Sequence, residues 1–194
     1  MLYEYNELSL MVIKMKTLFK ALSIVVIAAS ASAAQAQLYG EVAYSPLTIE
    51  AMSGAKKVEA TPSVLGLTLG YDIHQYFSVE AMAAFGANDD QAELNGAAAA
   101  INVNVDSSYG IFVKPKYMLN DKFEVFGRVG YLKTKLTASA VGLSMTENGS
   151  GVAYGVGANY YFNPKTYATI SYMNFYDKDN TTAKGVTFGL GMKF

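Results

Sequence analysis

From Gln37 to the end of the chain, bulky apolar residues alternate with small or polar ones at a period of two. In the closing segment, Val186, Phe188, Leu190, Met192 and Phe194 share one face, while Thr187, Gly189, Gly191 and Lys193 share the other. A strand sends successive side chains to opposite faces and accounts for this spacing directly; a helix tolerates such glycines poorly. Upstream, Leu38, Val42 and Tyr44 oppose Glu41 and Ala43, and Leu65, Leu67, Leu69 and Tyr71 oppose Gly66, Thr68 and Gly70. Phe77, Val79, Ala81, Ala83 and Phe85 oppose Ser78, Glu80, Met82 and Ala84. Tyr109, Ile111, Val113 and Tyr117 oppose Phe112, Lys114 and Lys116, and Phe123, Val125, Val129 and Tyr131 oppose Glu124, Phe126 and Arg128. Val152, Tyr154, Val156, Ala158, Tyr160 and Phe162 oppose Ala153, Gly155, Gly157, Asn159 and Tyr161. The pattern is faintest over 167–176, where Met173 and Phe175 blur the opposition of Ile170 and Tyr172 to Thr169 and Ser171. About eight strands are expected, each close to the ~9–11 residues that cross a bilayer at a tilt.

The charges decide which face meets what. Glu41, Glu80, Lys114, Lys116, Glu124, Arg128 and Lys193 all fall on the small, polar face. A water-soluble barrel would bury its large apolar side chains and expose its charges. An eight-stranded barrel has little interior room, so small residues belong inside and bulky ones outside, against lipid. A lipid-facing Lys or Arg costs about 2–4 kcal/mol at the bilayer midplane, and the pattern avoids it. The prediction is an all-β fold, a closed antiparallel up-and-down transmembrane β-barrel. Its seven inward charges should pair in one interior network that fills the lumen. Lys114 and Lys116 are expected to face Glu124 and Arg128 across a short turn, and Glu41 to neighbour Lys193 where the first and last strands close.

The connections fit that plan. Short links at 72–75, 120–122 and 163–165 are rich in turn-forming residues. Longer links near 50–61, 87–102, 138–150 and 177–184 alternate with them, as periplasmic turns alternate with extracellular loops. Aromatics close and open the strands beside the short turns (Tyr71/Tyr76, Tyr117/Phe123, Phe162/Tyr167), where an interfacial girdle is expected.

The N-terminal segment reads as an export signal. Lys16 and Lys20 follow Met15, an apolar run begins at Ala21, and Ala34-Gln35-Ala36 offers an A-x-A cleavage site before Gln37. No apolar run reaches the ~18 residues of a spanning helix. Glu4 and Glu7 are out of place at the start of a signal. The expected organisation is therefore a mis-assigned extension over 1–14, a cleavable signal peptide over 15–36 and the barrel over 37–194.

Composition narrows the chemistry. The formal charge of −1 has no basic block behind it, so nucleic acid is not an expected partner. There is no cysteine and only one histidine, His74, which the topology places in a periplasmic turn. That leaves no thiolate or histidine-rich metal site and no nucleophile–base pair facing outer-leaflet lipid. No enzyme activity and no cofactor are expected. Gly155-Val156-Gly157 lies mid-strand without a following helix, so it is no phosphate loop. Asn148-Gly149-Ser150 reads as a turn, and Asp89, Asp90 and Glu93 as a solvated loop without calcium-ligand spacing. The run Ala97 to Ala100 either extends a strand above the membrane or offers an apolar adhesion surface.

With these features together, residues 37–194 resemble the small eight-stranded outer-membrane barrels of the OmpA and OmpX type. The resemblance implies residence in the bacterial outer membrane after passage through the periplasm, and contact with outer-membrane lipid, lipopolysaccharide and the assembly machinery. Phe194, closing the last strand, resembles the family's assembly signal, and no peptidoglycan-binding domain is expected beyond it. Such barrels include adhesins, anchors, small pores and a few lipid-modifying enzymes, and fold alone does not choose among them. The reading favoured here is a structural or adhesion-type barrel that meets a host or surface ligand through its extracellular loops; a narrow pore is second and a lipid-modifying enzyme third. Lys133 and Lys135 continue the outward face past Tyr131 and are candidate contacts for lipopolysaccharide phosphate.

Overall fold

The computed structural model describes residues 38–54, 56–140 and 143–194. The proposed signal peptide, Ala34, Ala36 and Gln37 lie outside the described residues. Ten strands form one antiparallel sheet: β1 (Leu38–Ser53), β2 (Lys56–Ala60), β3 (Ser63–His74), β4 (Phe77–Asn88), β5 (Asp90–Leu94), β6 (Ala97–Met118), β7 (Phe123–Ala140), β8 (Leu143–Tyr161), β9 (Thr166–Lys178) and β10 (Thr181–Lys193). Eight of them make the ring, in the order β1-β3-β4-β6-β7-β8-β9-β10. It closes where β1 meets β10, with Tyr39 opposite Lys193 and Tyr44 opposite Phe188.

The sequence reading of the connections needs correction. The links taken as long loops are largely strand. β6, β7 and β8 run for 22, 18 and 19 residues, well beyond the ~9–11 that span a bilayer. β2 and β5 are two further short strands, built from the first two supposed loops and paired to each other through Val58 and Leu94. Asn148-Gly149-Ser150 lies within β8 and is no turn. The alanine run opens β6.

At the other end the links are tight. Asn120 Oδ1 accepts the amides of Lys122 and Phe123 at 2.9 and 3.0 Å. Asn163 Oδ1 does the same for Lys165 and Thr166, both at 2.9 Å. These Asx turns satisfy backbone donors that a two-strand reversal would leave open. Short turns and both ends of the ring share this end, which marks it as periplasmic.

Two aromatic belts frame the outer surface. Tyr71, Tyr76, Tyr117, Phe123 and Phe162 are exposed near the short turns, and Tyr44, Phe85, Tyr109, Tyr131, Tyr154 and Tyr172 are exposed further up. Rings with a polar tip suit the interface between hydrocarbon and water. The interior is layered. An apolar cluster of Leu47, Val64, Ala84 and Val105 lies in the upper half, with Phe112, Leu132, Ala153 and Met173 as a second cluster. The inward charges and three tyrosines, Tyr39, Tyr161 and Tyr167, occupy the periplasmic half.

Candidate functional site

The side chains of all seven predicted residues arise from the inward parity of five strands, β1, β4, β6, β7 and β10. Arg128 is the hub. Its Nε donates to Glu80 Oε2 at 2.6 Å, and its Nη2 reaches Glu80 Oε1 at 3.1 Å and both oxygens of Glu41 at 3.3 Å. Glu41 on β1 and Arg128 on β7 sit on strands separated in the ring by β3, β4 and β6, so the contact crosses the lumen. Lys114 lies 3.7 Å from Glu80 and 3.6 Å from Glu124, joining the fifth charge to the other four. Arg128 and Lys114 are each 2% exposed, so these ion pairs act with little screening by water.

Neutral donors complete the arrangement. Tyr39 Oη donates to Glu80 at 2.7 Å, Asn159 Nδ2 to Glu124 at 2.8 Å, Tyr161 Oη to Glu124 at 3.3 Å and Tyr167 Oη to Glu41 at 3.5 Å. Each buried carboxylate thus has a cation and at least one hydroxyl or amide. That satisfaction is what makes burial of an ion pair tolerable. Phe126 forms the apolar side of the cluster, with Lys114 Nζ 4.4 Å and the Arg128 guanidinium carbon 4.9 Å from its ring centre.

Glycine makes room for the tyrosines. A Cβ on Gly70 would collide with the Tyr39 ring, and one on Gly191 with the Tyr167 ring. The two rings lie across the bare backbone of the neighbouring strand, which places their hydroxyls at the carboxylates.

Two details differ from the sequence reading. The seven charges do not form one network: Lys116 and Lys193 belong to a separate cluster around Asp72, at 2.6 and 3.9 Å. Glu41 and Lys193 are not partners, because β1–β10 register sets Tyr39 opposite Lys193 and Glu41 opposite Gly191. Asp72 was hidden because Asp-Ile-His-Gln looks like a turn, whereas β3 continues to His74 and carries Asp72 with it. Ser78 Oγ donates to that carboxylate at 2.6 Å. With Asp72 included, four acids balance four bases.

The other predicted residues scatter. Lys133 and Lys135 are on the exposed outer face of β7. Lys135 lies 3.7 Å from Asp106, at a bulge in β6. Phe194 follows the last residue of β10. His74 is at the periplasmic end, where its Nδ1 accepts the Tyr76 amide at 3.3 Å. Asp90 is no free loop acid. It holds Thr61 by its amide at 2.7 Å and its hydroxyl at 2.9 Å, and these hydrogen bonds keep the carboxyl below the usual aspartate range.

Solved structures of similar fold are outer-membrane barrels. Ail, the attachment invasion locus protein of Yersinia pestis, solved with the heparin analogue sucrose octasulfate, is 17% identical, with a TM-score of 0.57 over 81% of this chain and 99% of that one. Neisserial surface protein A is 12% identical, with a TM-score of 0.59 over 81% and 97%. OprG of Pseudomonas aeruginosa is 15% identical, with a TM-score of 0.55 over 81% and 97%. No curated protein matches the sequence. The family described as the outer membrane protein beta-barrel domain matches residues 17–194. Fold, lipid-facing surface and family match agree, and the chain belongs to the outer membrane protein β-barrel domain family of the bacterial outer membrane.

Proposed function

We propose that this barrel works at the cell surface, as an anchor and contact platform presented by its extracellular end, without catalysis. The observation that carries this reading is the continuation of β6, β7 and β8 beyond the upper aromatic belt. Paired strands hold their shape where a loop would not, so the projection is a built surface. Ile101, Leu143 and Met145 on it are 38%, 75% and 78% exposed. Exposed apolar side chains above a membrane favour a protein or lipid partner. The interior charge cluster adds the second half of the case, since it fills the periplasmic half of the lumen.

The ligand seen with Ail does not carry over easily. Across residues 50–59, 89–106, 133–147 and 177–184, nine carboxylates stand against six lysines. A net-negative rim repels a sulfated polyanion, so a neutral or cationic surface partner fits better. The single histidine, His74, is at the periplasmic end, away from outer-leaflet lipid, which speaks against its use as a base on that lipid. Shortening the β7–β8 hairpin by excising 138–146 tests the reading. Whole-cell binding to surface ligands should fall while the barrel still assembles and shifts on heating. Binding that survives the excision in a folded barrel would defeat it. A narrow pore is the second reading, favoured by the open chamber in the upper half of the barrel.

A further inference from the structure

Among the described residues, the extracellular part of the wall is closed by backbone pairing on every side but one. Where β3 and β4 end, β2 and β5 take over and bridge β1 to β6 through Ser53–Lys56, Val58–Leu94 and Asp90–Val103. β6 and β7 stay paired up to Ile101–Ala140, and β7 and β8 up to Ala140–Leu143. On the far side, β9, β10 and β1 stay paired up to Lys178–Thr181 and Ala51–Thr181. Between β8 and β9 the ladder stops at Tyr154–Asn174. Above that point β8 and β9 part.

The parting starts at the upper aromatic belt, to which Tyr154 belongs. Unpaired backbone within hydrocarbon costs several kcal/mol per group, whereas at the headgroup level water and polar lipid atoms can satisfy it. The seam is therefore placed where an opening is tolerable. Its filling is a side chain. A bulge shifts the β9–β10 register between Ala183 and Lys184, opposite Phe175. Phe175 packs against both interior apolar clusters, and the Tyr176 ring lies on the bare face of β8. A Cβ on Gly149 would stand 3.3 Å from that ring, and one on Gly151 3.7 Å.

Behind Tyr176 is a chamber of about 390 Å³, within the ~300–1,000 Å³ range of small-molecule sites. Leu47, Val64, Ala84, Val105, Leu132 and Phe175 make its inner wall, whereas Glu147, Asn148, Lys178, Asp179 and Thr181 stand at its β8, β9 and β10 margin. An apolar wall rewards a hydrocarbon tail, and a polar margin keeps a headgroup hydrated. A wholly polar solute would find partners at the margin but gain nothing from the apolar inner wall. We propose that this chamber binds a single-chain amphiphile of fatty-acid type, admitted from the side between β8 and β9 past the Tyr176 ring.

The chain has no tryptophan, so Phe175→Trp puts a single reporter in the chamber wall. The folded variant, in phosphatidylcholine nanodiscs, is titrated with bromine-labelled dodecanoic acid. Quenching should saturate and should be reversed by unlabelled dodecanoic acid. The control Phe188→Trp, on the lipid-facing surface, should quench in proportion to added acid. Adding Ala84→Phe to F175W fills the chamber and should weaken binding by more than about tenfold. Adding Tyr176→Ala instead should speed the onset of quenching several-fold. Quenching of F175W that neither saturates nor competes would overturn the site, as would unchanged binding in a folded A84F protein. An onset unaffected by Tyr176→Ala would overturn the side entrance. The competition arm needs only F175W, so it decides the site even if A84F fails to fold.

Discussion

Arg128 illustrates how a charge can be stable inside a membrane barrel. It is held by two carboxylates that are themselves fed by Tyr39 and Tyr167. Removing it takes away the ion pair of buried Glu41 and leaves Glu80 with Lys114 at 3.7 Å, and breaking such a pair costs about 3–5 kcal/mol. Arg128→Ala should therefore unfold at a clearly lower temperature, read from the heat-induced gel shift of the purified protein. The outer lysines pose the opposite case, cations on the exposed outer face of β7. Lys135 has Asp106 beside it, and Lys133 stands in an outward hollow with Tyr109 and Ser150. We propose that these lysines contact lipopolysaccharide phosphate, mainly through Lys133. Replacing both by glutamine should weaken lipopolysaccharide binding, with Lys133→Gln alone giving most of the loss; equal affinity in the double variant would remove the proposal.

At the level of elements, the extension of the wall above the belt depends on a few specific ties. Thr61, between β2 and β3, is bound to Asp90 at the start of β5, linking the two short strands from outside the ladder. Those bonds favour the charged carboxylate, so its pKa lies below the usual aspartate range. A depressed folded pKa means the stabilisation is present above the unfolded value and is lost as pH falls through the folded one. Hydrogen exchange at the Thr61 amide should stay slow at neutral pH and accelerate only below the ordinary aspartate range. Asp90→Asn should abolish that dependence. The final strand has a different duty, since Phe194 ends an alternating outward face and serves no interior contact described above. Its deletion should reduce the fraction of chain that inserts and becomes heat-modifiable; a normal folded fraction would refute a role in assembly.

For the molecule as a whole, strand number and facing were legible because period-two alternation is local, and lipid outside with crowding inside makes the two faces chemically distinct. Glu41, Glu80, Lys114, Glu124 and Arg128 could be placed in the lumen by parity alone. Their partners could not all be named, because pairing across a closed ring depends on the register of β1 against β10, which no local pattern reveals. β2 and β5 escaped notice for a different reason: Lys-Lys-Val-Glu-Ala and Asp-Gln-Ala-Glu-Leu carry too few apolar residues to alternate. The weak pattern over 167–176 has its cause in the size of the inward residues: Tyr167, Met173 and Phe175 are bulky and apolar yet turn to the interior beside Thr169 and Ser171, so size no longer separates the faces.

Those interior contacts lead to a statement about the whole barrel. Arg128, Glu80, Glu41, Lys114 and Glu124, braced by three tyrosines, span a lumen that eight strands already leave narrow. The chamber above them has no described exit through that layer. Planar-bilayer recording of the purified wild-type protein tests this most directly. The expected result is no steady conductance, with rare irregular openings at most. Large, regular single-channel steps from the wild type would contradict it and make the protein a pore.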